Sequence, residues 1–405
     1  MTRGPSIEPA WLLVATLLCA CEPAAPPEFS FYDDRVAPTV EVGCVAQTTG
    51  CHLARDNQTA VGNLDLSSYD ALMRREDVLP PTGPYPVGQL LLKGGDAVTV
   101  AVQTFDPPDP NKKEQRFVEV ITDVRHAAGS SLKEGSDGYA TIKGWVQQGY
   151  RRNGQVDETL RVNIGGCRKG AGTHPGFDPD QKPVDTKSFE RFVKEVQPVL
   201  VERCAGSSCH GTPVADLHLS CGTSEAESRW NYFVAVAHVD ESVSLSEILR
   251  RPLSTQRGGT YHEGGNIFAD TDDDAYKVIR GWIEDMVERS PETVRYLPED
   301  EGLRFFGNYV EPVLVKKGCM FQNCHSVAMF HDLRLRGGSQ GTFSRIAIDK
   351  NYEMALLMLA LESADPNDSR LIAKNLFPPE RGGTGLNHRG GALFEDFGEN
   401  AQASA

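Results

Sequence analysis

The sequence predicts a mainly α fold of three tandem helical modules with minor β structure in the first. Three observations predict it. One motif recurs three times, apolar residues fall at helical spacing near the end of two copies, and Gly-, Pro- and charge-rich stretches separate the copies. The copies occupy residues 31–166, 187–289 and 302–405, behind a leader at 1–21 and a Pro-rich tether at 22–30.

The second and third copies define the motif. Phe192 to His210 (FVKEVQPVLVERCAGSSCH) and Phe306 to His325 (FGNYVEPVLVKKGCMFQNCH) share V-x-P-V-L-V, then basic residues, then C-x4-C-H. The first copy, Val36 to His52, keeps V-x-P but spaces Cys44 and Cys51 by six residues. An apolar alternation follows each His: Leu64-Asp65-Leu66, Leu217-His218-Leu219 and Leu333-Arg334-Leu335. Next come SEILRR (Ser246 to Arg251) and SRLIAK (Ser369 to Lys374), with QLLLK (Gln89 to Lys93) as the weaker match in the first copy. A third marker carries a second His: His126 in RHAAGSSL, His262 in RGGTYHEGG and His388 in RGGTGLNHRGG.

The closing segments YATIKGWV (Tyr139 to Val146) and YKVIRGWI (Tyr276 to Ile283) place Tyr, Ile, Trp and Val or Ile on one helical face, with Trp145 and Trp282 as core anchors. The third copy lacks this helix, which is either absent or replaced. Strands are expected around Val98 to Val102 and Phe117 to Val124. Lys169 to Thr186 and Ser290 to Glu301 read as linkers, so the modules are expected as beads.

The N-terminus has export architecture. Arg3 precedes a short apolar run, Ala10 to Leu18, which is well below the ~20 residues of a spanning helix. Leu18-Cys19-Ala20-Cys21 resembles a bacterial lipobox, with Cys21 as the lipidated residue, and EPAAPPE then suits a tether to a membrane anchor. The expected location is periplasmic or outer-membrane-associated. A formal net charge of −15 argues against a nucleic-acid or anionic-membrane partner, because a phosphate-binding surface needs clustered Lys and Arg.

Ten cysteines in an exported chain ordinarily mean disulfides. Here Cys44/Cys51, Cys204/Cys209 and Cys319/Cys324 are each followed at once by a His, namely His52, His210 and His325. Two thiols can form thioethers to the vinyl groups of haem, and the adjacent imidazole then lies beneath the ring to bind iron. The second axial position needs another ligand. His126, His262 and His388 are the ligand-capable side chains that recur at one place in all copies, whereas the methionines share no position. The glycines after these histidines suit close approach to a flat ring. Haem c is expected in the second and third copies, and in the first if its longer loop closes around the same vinyls. Cys167 and Cys221 remain as a pair that can tie the first copy to the second.

Taken together, P-x-L, C-x(n)-C-H, L-x-L, S-x-L-L, a His followed by GG, and a G-W-[IV] helix resemble the planctomycete-type c-type cytochrome modules found in exported bacterial lipoproteins. The resemblance implies a small cytochrome c-like helical fold per copy, covalent haem, and electron transfer to a redox partner protein. Departures are the six-residue gap in the first copy, Ala128 in place of the first Gly, and the missing last helix of the third. Three competing readings remain. They are a disulfide-stapled structural lipoprotein, a two-Cys/two-His zinc module, and a haem enzyme with an open axial site. His174, His218, His238 and His331 have no counterparts among the copies and are expected as ordinary surface or loop histidines.

Overall fold

The computed structural model describes residues 31–45, 51–55, 59–113, 115–124, 126, 129–152, 165–167, 169, 173–321 and 324–394. The leader, Cys21 and the tether lie outside them. The described chain is mostly helical, with one two-stranded antiparallel sheet. In the first copy the elements are α1 (Ala37–Val40), α2 (Tyr69–Met73), α3 (Gln89–Gly94), β1 (Thr99–Gln103), β2 (Phe117–Ile121) and α4 (Asp137–Gln147). The second copy has α5 (Thr186–Arg191), α6 (Gln197–Arg203), α7 (Glu225–Val236), α8 (Glu247–Arg250) and α9 (Asp274–Arg289). A short α10 (Pro291–Val294) falls in the expected linker. The third copy follows with α11 (Glu301–Phe305), α12 (Glu311–Lys316), α13 (Arg345–Leu356) and α14 (Arg370–Ala373).

Each copy opens on an aromatic residue that starts a five-residue π turn: Tyr32–Val36, Phe192–Val196 and Phe306–Val310. Proline causes it. Pro38, Pro198 and Pro312 lack an N–H, and their rings would strike the carbonyl four residues back. The ladder therefore steps to the carbonyl five back, and the amides of Ala37, Gln197 and Glu311 donate to Tyr32, Phe192 and Phe306. The widened turn ends each time in the α-helix that leads to the cysteines.

In the second copy, α9 lies across this opening. Ser224 and Asp273 cap the N-termini of α7 and α9 through side-chain oxygens. Asp273 also pairs with Arg203 at 3.1 Å. Trp282 is fully buried with its ring 5.3 Å from Phe192, and its Nε1–H donates to Ser188 Oγ at 2.9 Å. Ile279, Ile283 and Met286 bury the rest of that face, each contributing roughly 1.5–3 kcal/mol. In the first copy, Trp145 of α4 meets Tyr32 in the same way, at 5.4 Å.

The third copy has no closing helix among the described residues, and the first copy supplies a substitute. Strands β1 and β2 pair in the register Val100↔Val120. Val100, Val102 and Phe105 enter one buried cluster with Phe306, Leu314 and Val315 of the third copy. Gly307 makes room: a Cβ there would lie 2.5 Å from the Phe105 ring. Asn308 Oδ1 accepts from the amides of Phe105 and Asp106, at 2.9 and 3.1 Å, and the Asp123 amide donates to the Lys316 carbonyl. The strands thus form where alternation places them, but the copies are not beads. The second copy joins too, through Asp216 with Arg336 and Lys350, and through Gln103 with Asp240. A Cys167–Cys221 disulfide ties the end of the first copy to the second. Among the described residues no helix is long and apolar enough to cross a membrane.

Candidate functional site

Helices α6 and α12 run straight into the cysteines. Cys204 caps α6, and its amide donates to the Leu200 carbonyl, as that of Cys319 does to Leu314 after α12. The loops close through His210 N–H to the Cys204 carbonyl at 3.3 Å and His325 N–H to the Cys319 carbonyl at 3.2 Å. All six paired cysteines are free thiols, whereas Cys167 and Cys221 are bonded. Burial pushes the Cys204 and Cys319 thiols up to about 12, and raises Cys44 and Cys324 as well. The loop between Cys44 and Cys51 lies partly outside the described residues.

The alternating L-x-L segment clamps the first histidine of each copy. Its second leucine is buried, and the amides of Leu66, Leu219 and Leu335 donate to the carbonyls of His52, His210 and His325 at 2.9, 2.7 and 2.5 Å. Its first leucine holds the ring. His52 Nδ1–H donates to the Leu64 carbonyl at 3.1 Å and His325 Nδ1–H to that of Leu333 at 3.0 Å. His210 Nδ1 faces the equivalent Leu217 carbonyl without closing a bond of normal geometry.

The second histidine sits in a four-residue turn that also repeats. The amides of Gly129, Gly265 and Gly391 donate back to the carbonyls of His126, His262 and His388, each at 2.9 Å. Their own carbonyls accept the Nδ1–H of the same ring at 3.0, 3.1 and 3.0 Å. This reciprocal turn needs φ of +79°, +76° and +80°, the left-handed region where glycine carries no steric cost. Gly264 and Gly390 matter differently, since a Cβ would come within 2.8 and 3.0 Å of the His262 and His388 rings. The glycine pair therefore shapes the histidine turn, and a role in approaching a bound ring is not needed to explain it. Ala128 lies outside the described residues.

The turn and the clamp bring the histidines together in pairs. His52 and His126 have ring centroids 5.9 Å apart and planes 13° apart; His210 and His262, 6.0 Å and 6°; His325 and His388, 5.9 Å and 21°. A carbonyl at Nδ1 fixes the tautomer and leaves Nε2 with its lone pair. Two metal–imidazole bonds of about 2.0–2.1 Å, with a ring radius on each side, put centroids about 6 Å apart. Burial, then neighbouring His262 and His238, lowers His210 to about 4; burial also lowers His52, His262 and His325. Each shift favours the neutral imidazole.

In the second copy the pair opens into a cavity of about 1130 Å³ walled by Cys204, Cys209, His210, His262, Ile248 and Phe268. Small-molecule pockets span about 300–1,000 Å³, so a flat tetrapyrrole has room. Among the described residues no three His, Cys, Asp or Glu side chains converge to hold a metal ion. The residues fit haem c.

Several features escaped sequence reasoning. His218 and His238 stand in loop and turn segments, but they are buried. His218 lies against Trp230, which covers the polar face of the L-x-L segment, and His238 Nδ1–H donates to the Val234 carbonyl. Asn231 and Asn351, in equivalent helices, bond both amide groups of the residue after L-x-L, Ser220 and Arg336, and so brace the clamp. The shared Asn-Tyr dipeptide was the available signal. Met286 is fully buried against Tyr232 and belongs to the core.

No family model matches the chain, and no curated protein or solved structure does either.

Proposed function

We propose that the protein is a multihaem c-type cytochrome that carries electrons in the bacterial cell envelope. The observation that carries this reading is the set of three near-parallel histidine pairs, each about 6 Å between centroids and each beside two free thiols. Cys204/Cys209 and Cys319/Cys324, and Cys44/Cys51 in the first copy, would hold the ring as thioethers. His210 with His262, His325 with His388, and His52 with His126 would ligate the iron. Haem supplies a one-electron ferric/ferrous couple, which bis-histidine ligation sets lower than a His/Met pair would. The protein's own work is to fix five of the six imidazoles through a backbone carbonyl and to line the cavity beside His210 and His262. Two histidines for each iron would leave no open site for a substrate, which favours a carrier over an enzyme. Export, lipidation at Cys21 and a protein redox partner belong to the same proposal.

The test is a visible spectrum and peptide mass analysis of the protein matured in a host that attaches c-type haem. A low-spin Soret band and haem adducts on the Cys204/Cys209 and Cys319/Cys324 peptides are expected. Unmodified or disulfide-linked peptides there would overturn the reading in favour of a stapled structural lipoprotein.

A further inference from the structure

A basic residue stands at one structural position in all three copies, beside the histidine pair in the second and third and within electrostatic reach of His52 in the first. Helices α3, α8 and α14 start after the caps Gly88, Ser246 and Ser369, and five residues on stand Lys93, Arg251 and Lys374. Arg251 lines the cavity that His210 and His262 share. After burial, its charge is among those that hold both rings neutral. Its guanidinium is already positioned, donating to Glu247 Oε1 at 3.2 Å and to the Gly338 carbonyl at 2.7 Å. Lys374 Nζ donates to the carbonyl of Asn387, the residue before His388, at 2.9 Å. The Lys93 ammonium lies 5.5 Å from the ring centroid of Phe321, inside the third copy's cysteine loop, and its charge also reaches His52.

The remaining contacts of these residues do not account for a recurring cation. Glu247, the carboxylate partner of Arg251, is replaced by Gln89 in the first copy and Arg370 in the third. What the three positions share is the adjoining histidine pair. We propose that Lys93, Arg251 and Lys374 are positioning residues that pair with the carboxylates of the tetrapyrrole bound in each copy, fixing its rotation in the cavity and raising its potential. The cation is the natural counterpart of an ionised carboxylate in a half-buried site. It also disfavours the more positive, ferric state. The inference rests on the haem reading above and deepens it.

The experiment is a spectroelectrochemical titration of the full-length haem-loaded protein and its Arg251→Met, Arg251→Lys and Lys374→Met variants. In Arg251→Met the haem content should stay as in the parent, and one potential should fall, the one that His262→Ala also moves. Arg251→Lys should restore it in large part. Lys374→Met, at a half-buried surface position that costs little packing, should lower a different potential. Lys93→Met should lower the first site's potential, and the third's through its place over Phe321. Unchanged potentials in Arg251→Met and Lys374→Met would overturn the proposal, even with lower stability, because a purely structural tie to Glu247 and Gly338 predicts that result. Absence of haem from the parent's Cys204/Cys209 peptide is a separate outcome, and it would overturn the haem reading itself.

Discussion

His210 and His262 stand with ring centroids 6.0 Å apart and planes within 6° of each other, although 51 residues lie between them in sequence. One is held by the L-x-L clamp and the other by a glycine turn. Their alignment follows from two unrelated local devices that the fold brings face to face.

If these rings share an iron, His262→Ala leaves the thioethers of Cys204 and Cys209 intact, because attachment occurs at the ring's edge. Haem content should match the parent. One site should turn from low-spin to high-spin and bind carbon monoxide or imidazole, as read by absorbance and EPR. A low-spin spectrum identical to the parent's would remove His262 as a ligand.

The first copy's hairpin should be part of the third copy's stability. Phe105→Ala opens the cavity beside Gly307 and should cost about 3–5 kcal/mol, and Gly307→Val should cost about 1–3 kcal/mol by overpacking. Amide hydrogen exchange of Val313 to Lys316 in α12, with denaturant unfolding, reads the effect. Independent modules predict that exchange there ignores Phe105→Ala.

Glu311 should give the fold a pH dependence. The side chain is fully buried, one oxygen accepts from Asn351 Nδ2 at 2.7 Å, and the other has no partner. Burial pushes its carboxyl up to about 8 from an ordinary 4.5. Folding therefore favours the protonated form. The stability is fully present below about pH 4.5 and is lost as pH rises through about 8, by at most roughly 1.4 kcal/mol per pH unit. Glu311→Gln copies the second copy, where Gln197 faces Asn231, and should flatten that slope in urea titrations run from pH 5 to 8. An unaltered slope would place the dependence elsewhere.

The Cys167–Cys221 disulfide closes a loop with a sequence separation of 54. Replacing both cysteines by serine should cost about 2–4 kcal/mol, mainly by freeing the unfolded chain. Alkylation of the folded, oxidised parent should leave both residues unlabelled, and labelling of both would sink the assignment.

By itself the sequence determined the three copies, the thiol pairs, the six histidines and the strands of the first copy. These are local signals: a Cys-x4-Cys-His run, a Trp helix of period 3.6 or an alternation of period 2 is legible wherever it occurs. It also singled out Cys167 and Cys221, because two cysteines remained once the pairs were assigned. Tertiary structure alone decided that the hairpin crosses to the third copy, that His218 and His238 are buried, and that the L-x-L carbonyls orient the rings of His52 and His325. Alternation in β1 says that one face will be buried but not against what. Gly307 acquires its meaning only when Phe105, some two hundred residues earlier, fills the space where a side chain would have been. A sequence records the shape each segment prefers, whereas the choice among apolar partners is made by how well they fit in three dimensions.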